Sequence, residues 1–327
     1  DQYRIMFEPL CKTTGAPDAL SFFTGSISII LMIINIPGNL LVILAVALDP
    51  NKNLRNSFNF LVMNLAVADL VVGLVTDPLS IHIHFKEGRN QAFADGEIQA
   101  IHMSYFISCT ASVLSIILLA IDRYIALVHP TRHRLIVSRP TLLVSIVLIW
   151  IISIGLPCIY FEVGYIRYAF IFANTAVVIA IIITVFTYTR LIMKFHKAGR
   201  PSTNSTESSS PTALTPPPFN DQKRITEMFL LILIAVLCCY VPSTILIYAM
   251  NFCESCTCDE IHTFRDLQFV FVIANSSVNF FCYAFRSPKF RAAFKVILRL
   301  QKAGAESDDL NMNTVEKGVT EVTENKL

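Results

Sequence analysis

Asp69 stands in the run Asn64-Leu65-Ala66-Val67-Ala68-Asp69, inside a long apolar stretch. An ionisable group there is costly and by default marks function. Other apolar stretches carry Asn39, Ser112, Ser115, Asn275, Ser276 and Asn279, and no basic residue within them offers Asp69 a partner. A carboxylate among neutral oxygens is a hard donor set, suited to Na⁺ or a proton. A protonated Asp69 hydrogen-bonded among amides, gluing helices together, is an equal alternative. Asp122-Arg123-Tyr124 closes another apolar stretch. Its arginine can pair with Asp122 or snorkel to headgroups as an ordinary interfacial anchor. Cysteines Cys11, Cys253, Cys256 and Cys258 fall outside the apolar stretches, while Cys109, Cys158, Cys238, Cys239 and Cys282 fall inside and read as packed thiols. The outer four can form bridges or hold zinc, and an oxidising surface favours bridges. The close trio points to one short bridge, leaving one cysteine to reach Cys11. His82 and His84 sit two apart, so on a helix they point apart and read as solvated surface histidines.

The elements that must position these groups follow from composition. The 327 residues are 54% hydrophobic and only 15% charged, too little charge to cover a soluble surface. Seven stretches, 21–48, 57–84, 100–128, 141–161, 165–193, 228–250 and 264–285, can each cross a hydrocarbon core of about 20 residues. They are rich in Ile, Val and Phe, yet lipid forces helix because every backbone N–H needs an internal partner. The fold class is an all-α membrane protein, a seven-transmembrane helix bundle. Stretches three and seven are the most polar and are expected to face the interior. The amphipathic, basic segment 288–300 reads as a short membrane-surface helix.

Lys and Arg set the orientation. Lys52, Arg55, Arg132, Arg134, Arg139, Lys194, Lys197, Arg200, Lys223 and Arg224 flank loops on one side, and the tail adds Arg286, Lys289, Arg291, Lys295 and Arg299. That side is cytoplasmic, so the N-terminal segment 1–20 is extracellular and the chain is a multi-pass plasma-membrane protein. The loop 198–220, rich in Ser, Thr and Pro, is expected to be disordered, as is the acidic cytoplasmic tail 301–327 with its phosphorylatable threonines. The net charge of +2 gives no argument for nucleic acid.

Taken in order, the motifs resemble those of rhodopsin-like G-protein-coupled receptors over residues 21–300. They are Gly38-Asn39, Asn64 to Asp69, Asp122-Arg123-Tyr124, the lone Trp150, Tyr188, Pro242, Asn279 with Tyr283, and Phe290. The resemblance implies that Arg123, with Asp122 and Tyr124, is the coupling switch, released when the sixth helix swings outward to admit a heterotrimeric G protein. Tyr188 and Tyr283 move inward to hold the active state. Asn39, Asp69, Ser112, Asn275 and Asn279 match the family's allosteric sodium site, with no other cofactor. Pro242 kinks the sixth helix. Arrestin and receptor kinases follow as partners, with membrane lipid around the bundle.

The departures bear on the ligand. Tyr240 replaces the usual tryptophan of helix six, Phe280 the proline after Asn279, and Ala180 a proline of helix five. Gln222 replaces the acidic lock partner of Arg123, which predicts raised basal signalling, tested against Gln222→Glu. The common bridge to the top of helix three is missing, with Ile98 near its place, and the loop around 162–164 is too short to cover a pocket. Receptors of the melanocortin, cannabinoid, lysophospholipid and adenosine grouping share some of these features, and the melanocortin branch in particular resembles this chain in a minimal second outer loop and a cysteine-rich third one, but its acidic cluster falls on Leu79, Ile98 and His102. Tyr105 stands where amine receptors carry Asp, and Ile273 where photoreceptors carry the retinal lysine. A simple monoamine and light are thereby disfavoured. The expected pocket is His102, Tyr105, Phe106, Cys109, Ala173, Tyr240, Thr244, Phe269 and Ile273, lined for a small-molecule, lipid or peptide ligand.

An ion-coupled transporter is the rival class, disfavoured by the lack of repeats, broken helices and a second acidic residue in mid-membrane. An enzyme is disfavoured because no nucleophile–base pair or metal triad stands out. A signalling-silent or constitutively active receptor-like protein is the remaining alternative.

Overall fold

A computed structural model describes residues 11, 15–129, 131–198 and 219–299. Among them are seven helices long and apolar enough to cross a membrane. In chain order these are α1 (Asp18–Leu48), α2 (Ser57–Glu87), α3 (Asp95–Val128), α4 (Arg139–Val163), α5 (Tyr165–Ala198), α6 (Phe219–Phe252) and α7 (Cys258–Arg286). A shorter α8 (Pro288–Ile297) follows. No strand occurs among the described residues. The sequence-derived spans are too short at several ends, because helix continues past the hydrocarbon wherever its backbone bonds keep forming. The bundle therefore starts at Asp18, inside the expected 1–20 segment. α5 and α6 reach into the borders of the expected 198–220 loop, whose centre lies outside the described residues, as does 301–327.

Local chemistry sets the helix ends. The Asn56 side chain accepts the Asn59 N–H at 2.9 Å to start α2, and Ser138 accepts the Thr141 N–H to start α4. α7 opens on a reciprocal cap. The Thr257 hydroxyl accepts the Glu260 N–H at 3.4 Å, and the Glu260 carboxylate accepts the Thr257 N–H at 2.8 Å. α4 and α5 are separated by Gly164 alone, at φ 82° and ψ 166°, a region open only to glycine. The connection between α4 and α5 is thus one residue long and carries no lid.

Large apolar side chains on α4 and α5, among them Leu143, Val147, Ile151, Ile171, Ile182 and Val185, face outward. So wide an apolar surface needs lipid to cover it. The apolar windows of α2 and α3 are 61% buried, that of α7 50%, and those of α4 and α5 only 22%. α2 thus lies as deep in the bundle as α3. At Gly38 α1 closes on α7 so tightly that a Cβ would stand 2.9 Å from Phe280 Cγ. α8 turns Phe290, Ala293 and Phe294 inward and leaves Arg291 and Lys295 exposed, the amphipathic layout of a surface helix. Pro242 lies inside α6.

α2 is not uniform. Residues Val72–Thr76 widen into a π turn just before Asp77-Pro78. Pro78 has no N–H to give and its ring crowds the preceding turn, and the wide turn accommodates both. Asp77 is fully buried here, with no hydrogen bond to either carboxylate oxygen. This second carboxyl group in mid-membrane corrects the expectation that none exists.

Candidate functional site

At the foot of α3, Asp122 and Arg123 are 2% and 3% exposed. Arg123 Nε donates to Asp122 Oδ2 at 3.0 Å, and Nη2 donates to the same oxygen. The Ser57 hydroxyl donates to Asp122 Oδ1 at 2.9 Å, and His133 Nε2 lies 2.8 Å from that atom. The guanidinium lies 4.6 Å over the Phe58 ring. Asp122 is therefore held from α2, from α3 and from the turn after α3, and it holds the arginine in place. Tyr124 packs on Phe186 of α5. Tyr188 lies on α5, but its side chain falls outside the described residues, as does that of Gln222. On α6, Glu227 pairs with Arg286 of α7. Tyr283 is fully buried, stacks on Phe290 at 5.7 Å, and its hydroxyl has no hydrogen-bond partner among protein atoms.

Asp69 lies farther up. Asn279 Nδ2 donates to Asp69 Oδ2 at 2.8 Å, and the Ser112 hydroxyl reaches Oδ1 at 3.4 Å. Asn39 does not touch the carboxylate. Its amide donates to Asn35 and to the Ser276 carbonyl oxygen, tying α1 to α7. Asn275 and Ser112 line a small cavity with Ser276, and the Oδ1 atoms of Asn39, Asn275 and Asn279 are buried without a partner. A carboxylate, a hydroxyl and unpartnered amide oxygens are the donors a hard monovalent cation takes, so these residues fit sodium. Asn64 joins three helices, donating to Ser115 at 2.8 Å and accepting from Trp150 Nε1 at 3.1 Å.

That cavity measures about 10 Å³ and is also lined by Tyr105, Ser108, Cys109, Tyr240 and Ile273. It has room for about one water. Of the expected pocket, Tyr105, Cys109, Tyr240 and Ile273 line it. His102 and Phe106 stand apart in an aromatic cluster, where His102 stacks on Tyr165 at 4.2 Å and lies 2.9 Å from the Tyr160 hydroxyl. Phe269 packs on Tyr105 at 5.4 Å. Ala173 is buried on α5, and the Thr244 hydroxyl turns back to the Tyr240 carbonyl oxygen. Gln268, fully buried, was not anticipated. It donates to the Tyr165 hydroxyl at 2.6 Å and accepts from Ser243 at 3.2 Å, with Tyr105 at a long 3.5 Å. One amide thereby joins α3, α5, α6 and α7. The only signal for it was a polar residue inside an apolar span.

Two bridges close one end, Cys11–Cys258 and Cys253–Cys256; spacing points to one short bridge within the trio and one to Cys11, and the structure selects Cys258 as the partner of Cys11. Of the five free cysteines, Cys109 and Cys239 are buried and Cys282 is half-buried. Cys158 and Cys238 are exposed on the bundle surface, not packed as expected. Below the bridges, α2 and α7 bring together His84, Glu87 and Asp266. His84 is only 6% exposed, which corrects its reading as a solvated surface residue. The trio likewise corrects the expectation that no metal-ligand triad exists. Its members lie 179 to 182 positions apart across α2 and α7, so no local motif announces it.

Residues 38–165 match the family described as 7 transmembrane receptor (rhodopsin family). The human histamine H2 receptor is 34% identical over 42% of this chain and 37% of its own length. The dog 5-hydroxytryptamine receptor 2C is 34% identical over 42% of this chain and 30% of its own. The silk-moth (Bombyx mori) allatostatin-A receptor is 25% identical over 81% of this chain and 76% of its own. The chain thus spans little more than a third of the length of the histamine receptors it matches. Over residues 38–165 the chain is therefore similar to the rhodopsin family of seven-transmembrane receptors, and its described residues hold seven helices long and apolar enough to cross a membrane.

Proposed function

We propose that this chain is a G-protein-coupled receptor of the plasma membrane, with its disulfide-bearing end outside and α8 on the cytoplasmic face. The observation that carries the reading is the buried Asp122–Arg123 pair, held by Ser57 and His133 where α3 meets the inner face. An outside ligand shifts a two-state equilibrium. The shift frees Arg123 as α6 moves away and opens the inner face to a heterotrimeric G protein, after which kinases and arrestin act on the tail. The free hydroxyl of Tyr283 is available for new bonds in that rearrangement.

Asp69, Ser112 and Asn279, with Asn275 on the cavity wall, would hold a sodium ion, whose positive charge would favour the closed packing of α2, α3 and α7. The ligand is neither light nor a simple monoamine. Two relatives carry amine names, but Tyr105 offers no carboxylate to an ammonium group. With a cavity of about 10 Å³, a ligand must open the layer of Gln268, Tyr105 and Tyr165 or bind above it. The loss of the acidic lock at Gln222 favours raised basal activity. Asp77 favours an ion-coupled transporter, but it does not line the cavity formed by Ser112, Asn275 and Ser276, which has room for about one water.

The test is G-protein activation in transfected cells without ligand, across a panel of G-protein subtypes, for wild type and Arg123→Ala at equal surface expression. Wild-type signal that the variant lacks supports the reading. Equal signal from both contradicts it.

A further inference from the structure

The cluster at the disulfide-bearing end goes beyond receptor coupling. His84 and Glu87 stand one turn apart near the end of α2, and Asp266 faces them from α7. One ligand atom from each lies within 4.8 Å of the others. The histidine tautomer can be read from its contacts. His84 Nδ1 lies 2.8 Å from the Ser80 carbonyl oxygen. A carbonyl only accepts, so Nδ1 carries the hydrogen. That hydrogen bond orients the ring and leaves Nε2 to face Asp266 Oδ2 at 3.7 Å, the support a metal-bound histidine ordinarily receives. Asp266 is fixed in turn by Thr24 of α1, whose hydroxyl donates to Oδ2 at 3.1 Å. The His84 and Asp266 side chains are 7% and 1% exposed. The Nε2 position thus faces a carboxylate oxygen in a nearly dry site, where either a proton on Nε2 or a divalent cation between the two can supply the positive charge.

We propose that His84, Glu87 and Asp266 form a binding site for a zinc-type divalent cation bridging α2 and α7. One imidazole with two carboxylates suits zinc better than calcium or magnesium, which take oxygen alone. Zinc bonds of about 2.0–2.1 Å place tetrahedral ligands roughly 3.3 Å apart, so the three atoms must draw in by side-chain rotation. Arg265 is the built-in competitor. Its Nε donates to Asp266 Oδ1 at 2.7 Å, and its Nη2 lies 3.1 Å from Glu87 Oε2. The Arg265 side chain is 32% exposed, so it can swing into solvent as the metal takes over its carboxylates. The arginine is a tethered cation that holds the site together at low metal. The fourth ligand is water, admitted where Arg265 leaves.

The site is testable without any signalling readout. The purified full chain in lipid nanodiscs is titrated with zinc alone, in competition with a fluorescent zinc indicator. Wild type is expected to bind one zinc per chain. His84→Ala and Asp266→Asn should each weaken binding by at least the roughly 10–100-fold that loss of a mere supporting partner costs. Arg265→Gln should tighten it, by about tenfold or more, because a nearby positive charge is removed. His82→Ala, which removes the exposed pair with Glu97, should change nothing. The opposite signs expected of Arg265→Gln and His84→Ala keep the test decisive even if one variant folds poorly. No stoichiometric binding by wild type, unchanged binding by His84→Ala, weaker binding by Arg265→Gln, or loss of binding by His82→Ala would each overturn the proposal.

Discussion

The two halves of this bundle are built on different principles. In the half that ends at Arg123, several polar side chains are committed to partners that favour one packing. Asp122 holds Arg123, Asn64 joins α2 to α3 and α4, and Asn279 holds Asp69. A few groups stay unpartnered, notably Tyr283 and the Oδ1 atoms of Asn275 and Asn279. Those are the groups a second arrangement can use. The half beneath the disulfides is sealed instead, by stacked rings around His102 and Phe106, by the Gln268 amide, and by the ion cluster of Glu87, Arg265 and Asp266. If, as proposed, the first half is a switch and the second a closure, a substitution in each should report on a different property.

The largest effect should come from the switch. Asp122→Ala leaves the Arg123 guanidinium buried without its carboxylate, and breaking such a pair costs about 3–5 kcal/mol. That cost falls on the closed packing, so the variant should melt at lower temperature in detergent and show more ligand-free G-protein activation than wild type. A variant that melts lower but signals no more would mean that the pair is structural only. A smaller effect belongs to the closure. Gln268→Ala strips a partner from the Tyr165 hydroxyl and from Ser243, a loss of about 1–3 kcal/mol. It should lower the melting temperature and leave ligand-free activation unchanged. If activation instead rises as far as in Asp122→Ala, the two halves are one cooperative unit and the contrast is lost.

The difference also governs what can be read in the sequence. Seven spans, the surface helix and the two bridges follow from composition and spacing, because lipid thickness and short cysteine loops act locally. Asp69 and the Asp122–Arg123 pair stand out because a charge in an apolar run is visible without knowing its partners. The closure is not visible in this way. Thr24 meets Asp266 across 242 positions and Arg265 meets Glu87 across 178, and nothing near any of these residues announces the other. His84 reads as a surface residue until α7 covers it. Gln268 reads as one polar interruption until four helices converge on it. Asp77 lies inside the expected 57–84 stretch, where the π turn carries α2 past Pro78. The cavity was expected to be lined by nine residues. Only four of them reach it, because the aromatic rings of α3 and α5 pack on one another first.

The central claim is that the half around Arg123 opens by displacement of α6. It is met most directly by a distance measurement between spin labels on the ends of α2 and α6 nearest Arg123, with the chain in nanodiscs, with and without a nucleotide-free G protein. The account predicts a longer distance when the G protein is present, in wild type but not in Arg123→Ala. An unchanged distance in wild type, while the G protein is shown to bind, would contradict it.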